Sequence, residues 1–303
     1  MSLRTMAPAA DPFSLQDEVA YHRWRDAKLA LAPRALDEVM VPLGDARALT
    51  RDERGQLLTA IARAGFAIYR TAAGANDPTL PRRLAAQLGM QRLDANWLAG
   101  EDGISRIAVS NASDGHGGFI PYTDRAIGWH TDGYYHPEGR RIRGMVLHCV
   151  RPAREGGANR LLDPELAYIA LRDRDPALVR ALMDPEAMTI PERVDEDGVA
   201  RPAQSGPVFS LDEDGCLHMR YTARTRSIAW KDDAATQAAV AQLQDVLAHS
   251  RFAWRVRMAA GMGFIGRNVL HDRSAFVDDP AQPRLVLRAR FLDRAGEVPC
   301  RNG

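Results

Sequence analysis

The sequence predicts a mainly β protein with α, a β-sandwich carrying helical decoration, and three observations carry that expectation. Strand-like segments occur at both ends of the chain while helical periodicity interrupts the middle, unlike the strict β-α-β alternation of a doubly wound parallel sheet. The C-terminal quarter, from "FAWRVRMAAGMGFIGRNVLHDRSAF" to "PRLVLRARFL", reads as three strands with tight turns. Within it "RLVLRARF" alternates most regularly: Leu285, Leu287, Ala289 and Phe291 share one face, and Arg284, Val286, Arg288 and Arg290 the other.

The elements follow in order. Residues 14–31 read as a polar-rich helix that packs against the main body, before Pro33 changes the texture. Thr50 and Glu53 form a capping box, Leu57, Leu58 and Ile61 mark one helical face, and Gly65 ends that helix ahead of a strand at "FAIYR". A helix around 79–88 precedes a strand at "ISRIAVS" and a Gly-rich loop over 113–124. "RIRGMVLHCV" is a buried strand ending at Pro152. Two short helices meet at Asp175-Pro176, where Asp caps and Pro fills the first turn. "LHMRYTART" reads as a strand, and 233–249 as a helix with Val240, Leu243, Val246 and Leu247 on its apolar side. There is no internal repeat, low-complexity tract or long linker, so one domain over 36–303 behind an N-terminal helical extension over 1–35 is expected. The opening "MSL" reads as a vector-derived leader rather than as part of the fold.

Composition narrows the function. Of 303 residues 46% are hydrophobic and 26% charged, enough to bury a substantial core. Forty Lys and Arg against 39 Asp and Glu, with the arginines scattered, give no reason to expect a nucleic-acid partner. No run of eighteen apolar residues exists, and Asp11, Asp17 and Glu18 stand where a signal sequence needs an apolar core, so a cytoplasmic protein without membrane partner is expected. Cys149, Cys216 and Cys300 are too few and too far apart for a disulfide framework or thiolate zinc motif, and are read as buried or idle thiols.

Chemistry concentrates at "GWHTDGYYHPEG". On an extended chain His130 and Asp132 point the same way, about 6.5–7 Å apart along the strand, so both can face one ion. An imidazole and a carboxylate are two-thirds of the facial triad of non-heme Fe(II) oxygenases. The alternative is a surface turn in which Asp132 caps the backbone. Among the other histidines, His22, His116 and His249 read as structural or solvated, and His136, His148 and His218 as partly buried residues of strands and their ends. His271 differs: "FIGRNVLHDRSAF" sets it at a strand end beside Asn268, Asp272 and Arg273. Thirteen residues further on begins the arginine strand, whose charged face turns to water or aims a guanidinium inward at a carboxylate. Tyr134, Tyr135 and His136 line a substrate pocket or pack at an edge.

"WHTDG", "EGGANRLLD", "NVLHDRSAF" and "RLVLR", in that order, resemble the taurine dioxygenase-like (TauD/TfdA) branch of Fe(II)/2-oxoglutarate-dependent oxygenases, over about residues 40–295. The resemblance implies a double-stranded β-helix, a jelly-roll core with surrounding helices. It implies His130, Asp132 and His271 as iron ligands. Asn159 stands where the family often has threonine near the distal carboxylate of 2-oxoglutarate, Arg284 matches the arginine pairing with that carboxylate, and Arg288 the arginine near the proximal carboxylate or an anionic substrate group. Asp272 replaces a frequent glycine. The implied reaction, with O2 as the other cosubstrate, hydroxylates a small molecule and releases succinate and CO2. Tyr134, Tyr135 and Arg288 are the substrate-binding candidates, and Arg288 with Arg290 hints at an acidic compound. Because Asp132 is present, halogenation is disfavoured.

Three readings compete. "GMGFIG" at 261–266 matches a dinucleotide fingerprint but lacks the following helix and parallel strands, since 37 residues remain. A zinc-dependent hydrolase on a β-sandwich uses the same ligand types, but has no general need of a buried arginine clamp. A noncatalytic jelly-roll anion-binding protein is the third. Nothing in the sequence reads out oligomeric state, and homo-oligomerisation stays open.

Overall fold

The computed structural model describes residues 11–94, 99–110, 119–195, 198–224 and 228–296. His116, Cys300 and the Gly-rich part of the 113–124 loop up to residue 118 lie outside them. Six α-helices surround many strands among the described residues, a mixed α/β architecture. A six-stranded sheet runs in the order Met40–Asp45, Phe66–Ala73, Met262–Arg267, Gly144–Arg151, Leu285–Phe291, Ser105–Ile107, parallel only between its first two strands. A four-stranded antiparallel sheet runs Trp254–Val256, Asn159–Leu162, Leu270–Arg273, Ile127–His130. The two sheets meet where Phe264 of the larger approaches His271 of the smaller, ring centroids 6.1 Å apart.

Local rules explain the helices. Thr50 Oγ1 accepts from the Glu53 N–H at 3.2 Å while Glu53 Oε2 accepts from the Thr50 N–H at 2.7 Å, and Gly65 closes helix Arg51–Ala64 at φ 78°. Asp163 and Asp175 cap Pro164–Arg174 and Pro176–Leu182, each with proline in the first turn. Each such cap is worth about 1 kcal/mol. The N-terminal helix, Glu18–Leu31, is pinned by Lys28, whose buried ammonium sits 2.6 Å from Asp163 and 2.5 Å from Glu165. Burial disfavours that charge, but the two carboxylates more than offset it and raise the lysine pKa.

Several expectations need correction. The last quarter holds five strands rather than three: Trp254–Val256, Met262–Arg267, Leu270–Arg273, Phe276–Val277 and Leu285–Phe291. "ISRIAVS" is strand only at Ser105–Ile107, and the described residues of "LHMRYTART" only at Leu217–Met219. The charged face of the arginine strand does not turn to water. Arg284, Arg288 and Arg290 are all buried, and so are Leu287, Ala289 and Phe291, because helix Leu80–Ala86 packs against this strand and Arg288 and Arg290 turn onto buried Asp132 and Asp94. Cys149 is a buried free thiol, but Cys216 is disulfide-bonded, since pairing depends on proximity in space that spacing does not report. No helix of the described residues is long and apolar enough to cross a membrane.

Candidate metal centre

Adjacent strands bring the histidines together. His130 ends Ile127–His130, and its register partner across the antiparallel pair is His271 of Leu270–Arg273. The rings stand 4.1 Å apart, and the register shifts just beyond them, the local bend that sheets place beside sites. One ligand atom from each of His130, Asp132 and His271 lies within 4.8 Å of the others.

The tautomers are fixed by the backbone. His130 Nδ1 is 2.9 Å from Gly128 O and His271 Nδ1 is 3.0 Å from Val269 O; a carbonyl only accepts, so each Nδ1 carries the proton and each Nε2 keeps its lone pair. Burial, with His271 close by, drives the His130 pKa down to about 3, and burial also lowers that of His271. Both rings are therefore neutral at pH 7, the state a metal ligand needs. Burial alone would raise the Asp132 pKa, but Arg288 and Arg290 hold it well below the usual carboxylate range. Arg288 Nη1 donates to Asp132 Oδ1 at 3.1 Å, while Oδ2 is buried without a protein partner.

Two residues that sequence reasoning left without a role hold this loop. Asn268 accepts from the Asp132 N–H at 2.8 Å and donates from Nδ2 to Asp132 O at 2.8 Å and Ile142 O at 3.0 Å. Thr131, fully buried, exchanges hydrogen bonds with the Tyr221 backbone. Gly133 follows at φ 70°, where a Cβ would stand 2.5 Å from Ile142 Cγ1, so the motif requires glycine. Asn268 was visible three residues before His271; nothing in the sequence linked it to Asp132.

The remaining candidates fall on different faces. Asn159 is buried; its Nδ2 donates to Asp272 O at 2.7 Å and its Oδ1 has no partner. Asp272 instead accepts from Arg160 through both oxygens, at 2.8 Å from the backbone N–H and 2.7 Å from Nε, and the Arg160 guanidinium lies 4.7 Å over Trp129. Strand alternation thus puts Trp129, Arg160 and Asp272 behind the sheet and His130, Asn159 and His271 in front. Arg284 is buried, packed 5.1 Å from the Phe276 ring centroid, and its Nη1 has no partner; burial lowers its pKa. Arg290 is closed: it donates to Asp94 Oδ2 at 2.5 Å and to the Tyr135 hydroxyl at 2.9 Å. Asp94, which sequence reasoning missed, also accepts from His136 at 3.1 Å and Arg140 at 2.6 Å. Tyr134 packs edge-on against Tyr135, ring centroids 5.3 Å apart.

A mononuclear two-histidine, one-carboxylate centre between two sheets is the class of site this geometry defines. The chain belongs to the taurine catabolism dioxygenase TauD, TfdA family, whose model matches residues 28–290. Uridine-5'-phosphate dioxygenase of Amycolatopsis sp is 31% identical over 190 residues, 61% of this chain and 66% of that protein. Its Streptomyces sp namesake is 36% identical over 178 residues, 55% of this chain and 62% of that protein. The chain thus spans slightly less than two thirds of the length of these curated relatives. An asparagine oxygenase solved with Fe(II), 2S,3S-3-hydroxyasparagine and succinate superposes with a TM-score of 0.55 at 14% identity, covering 91% of this chain and 92% of that one. That similarity establishes a shared fold.

Proposed function

We propose that this chain is an Fe(II)- and 2-oxoglutarate-dependent dioxygenase that hydroxylates a small anionic organic molecule on a double-stranded β-helix core. One observation carries it: His130, Asp132 and His271 present ligand atoms within 4.8 Å, and both Nδ1 atoms are already committed to backbone carbonyls. Two neutral imidazoles and one carboxylate suit Fe(II) and leave coordination positions open for cosubstrates. The buried Asp132 Oδ2 that lacks a protein partner is an atom a bound cation would satisfy. Bound there, Fe(II) with 2-oxoglutarate and O2 supplies the oxidising power for C–H hydroxylation, with succinate and CO2 as co-products.

The protein's own residues orient and exclude. Arg284, with an unpartnered buried Nη1, would hold the distal carboxylate of 2-oxoglutarate, and the second N–H of Asn159 would join it. Arg288 holds Asp132 in place and keeps it ionised, and its unpartnered Nε would face the proximal carboxylate. Tyr134 and Tyr135, directly after the ligands, would wall the substrate side. A hydrolytic zinc centre, the rival reading, leaves the buried charge of Arg284 unexplained. The relatives named uridine-5'-phosphate dioxygenase favour a phosphorylated nucleoside as the anionic substrate.

The test is anaerobic loading with Fe(II) and 2-oxoglutarate. A visible metal-to-ligand charge-transfer band should develop and should be lost in His130→Ala and His271→Ala. A wild-type protein without the band ends the oxygenase reading.

A further inference from the structure

A second cationic corner lies next to the metal centre, on arginines the chemistry above does not use. The antiparallel ribbon of Arg193–Asp195 and Gly198–Arg201 sets Arg201 directly opposite Arg193. Like charges at opposed positions destabilise a strand pair. The register shifts between Val199 and Arg201, the kind of irregularity that re-aims a side chain. Arg201 Nη2 donates to Pro191 O at 2.6 Å, whereas Nη1 is buried and meets no protein acceptor.

Neighbouring groups deepen the imbalance. Burial lowers the Arg201 pKa and Arg193 reinforces that, while Tyr134 and Tyr135 oppose it; among the described residues no carboxylate is one of these influences. Arg220 stands close enough that burial, with the Arg201 charge, brings its own pKa down to about 10. Arg220 spends its donors on four main-chain carbonyls, those of Tyr134, Met188, Gln204 and Gly206. Its dipolar partners satisfy the hydrogen bonds without cancelling the charge. Arg224, exposed, reaches toward the Tyr134 hydroxyl at 3.4 Å.

Tyr135 ties this corner to the metal centre. It lies three positions after Asp132, with the guanidiniums of Arg201 and Arg290 each 5.9 Å from its ring centroid. Its hydroxyl accepts from Arg290, one of the arginines that keep Asp132 ionised. We infer that Arg201, with Tyr135 beneath and Arg224 at the rim, forms the phosphate subsite that orients a nucleoside 5'-monophosphate or similar phosphate monoester toward the metal. This rests on the oxygenase reading and names its substrate class. A phosphate monoester fits better than a carboxylate because it carries close to two negative charges and three strong acceptor oxygens, enough to engage more than one guanidinium.

Calorimetric titration of the anaerobic Fe(II)- and 2-oxoglutarate-loaded protein tests this, with uridine 5'-phosphate, uridine and inorganic phosphate as probes. Wild type should bind uridine 5'-phosphate about 10- to 100-fold more tightly than uridine, the range of one or two charge-assisted hydrogen bonds. Arg201→Gln should collapse that preference to about 3-fold or less, Arg201→Lys should retain part of it, and the charge-transfer band should be unchanged in both. Equal affinity of wild type for the two probes, or an undiminished preference in Arg201→Gln, overturns the subsite. So does a wild type that binds neither uridine 5'-phosphate nor inorganic phosphate. Absence of the band refutes the oxygenase reading separately, and phosphate titration of the metal-free protein then still decides the subsite.

Discussion

Arg284, just before strand Leu285–Phe291, and Arg290, near its far end, are both buried, and their surroundings differ in kind. Arg290 is closed by the protein at both terminal nitrogens: Tyr135 takes the bond of Nη1 and Asp94 that of Nη2, leaving only Nε without a partner, and Asp94 brings in His136 and Arg140 as well. Arg284 is open, with a buried Nη1 facing no acceptor and the Phe276 ring against its guanidinium, and the charges that favour it, Cys149 and Asp278, are outweighed by its burial. Burying a guanidinium costs several kcal/mol unless it is paired. A fold retains the closed arginine as structure, whereas the open one makes sense when a ligand completes it. Arg288 lies between these cases, spending one bond on the carboxylate of the metal centre.

The largest expected effect breaks the closed end. Asp94→Ala should cost about 3–5 kcal/mol in urea unfolding, because it leaves Arg290 buried without its counter-charge. A loss under about 1 kcal/mol would erase the contrast between the two ends. The same group predicts a pH dependence. Burial alone would raise the Asp94 pKa, but the His136 hydrogen bond and the Arg290 charge bring it down to about 2. Its folded value lies below the unfolded value of about 3.9. The stabilisation is therefore present above pH 4 and disappears as pH falls toward 2. Unfolding midpoints measured from pH 6 to pH 2 should show a drop that Asp94→Ala lacks.

A medium effect concerns the open end. Arg284→Ala should weaken 2-oxoglutarate binding about 10- to 100-fold, as expected for a lost charge-assisted pair, with little change in the melting temperature of the ligand-free protein. Arg290→Ala should do the reverse, lowering the melting temperature while the cosubstrate requirement moves little. If both variants shift the cosubstrate requirement equally, the clamp is assigned to the wrong arginine.

These contrasts mark what the sequence could reveal. Helix ends were legible because capping is local: Thr50 with Glu53, Gly65, and Asp175 with Pro176 all work within a few residues. His130 and Asp132 were legible as a pair because i and i+2 share a side of an extended chain. That His271 meets them depends on register between strands 141 positions apart, which only resemblance supplied. The fate of the arginine face was not legible, since alternation looks the same whether the charged side meets water or a second sheet. Asp94 sits outside any regular element, 196 positions from Arg290, and belongs to no motif. The pairing of Arg193 with Arg201 was hidden for the same reason, in a ribbon the sequence did not announce as strand.

The smallest effect sharpens the comparison at the metal centre, where Asp272 follows His271 directly. Alternation turns Asp272 behind the sheet onto Arg160, and its charge is a lesser influence on His271 than burial or Asp132. The Arg160 side chain is 41% exposed, so solvent screens the pair and its value lies in the usual range for exposed ion pairs. Asp272→Asn should therefore cost about 1 kcal/mol or less and leave the charge-transfer band of the Fe(II)- and 2-oxoglutarate-loaded protein at its wild-type position. The contrasting variant is Asn268→Ala, which removes two hydrogen bonds with the Asp132 backbone and one with Ile142 O and should weaken Fe(II) binding about tenfold, in line with lost supporting contacts at metal sites. A band displaced by Asp272→Asn but not by Asn268→Ala would mean that the charge behind the sheet, rather than the hold on the Asp132 backbone, tunes the centre.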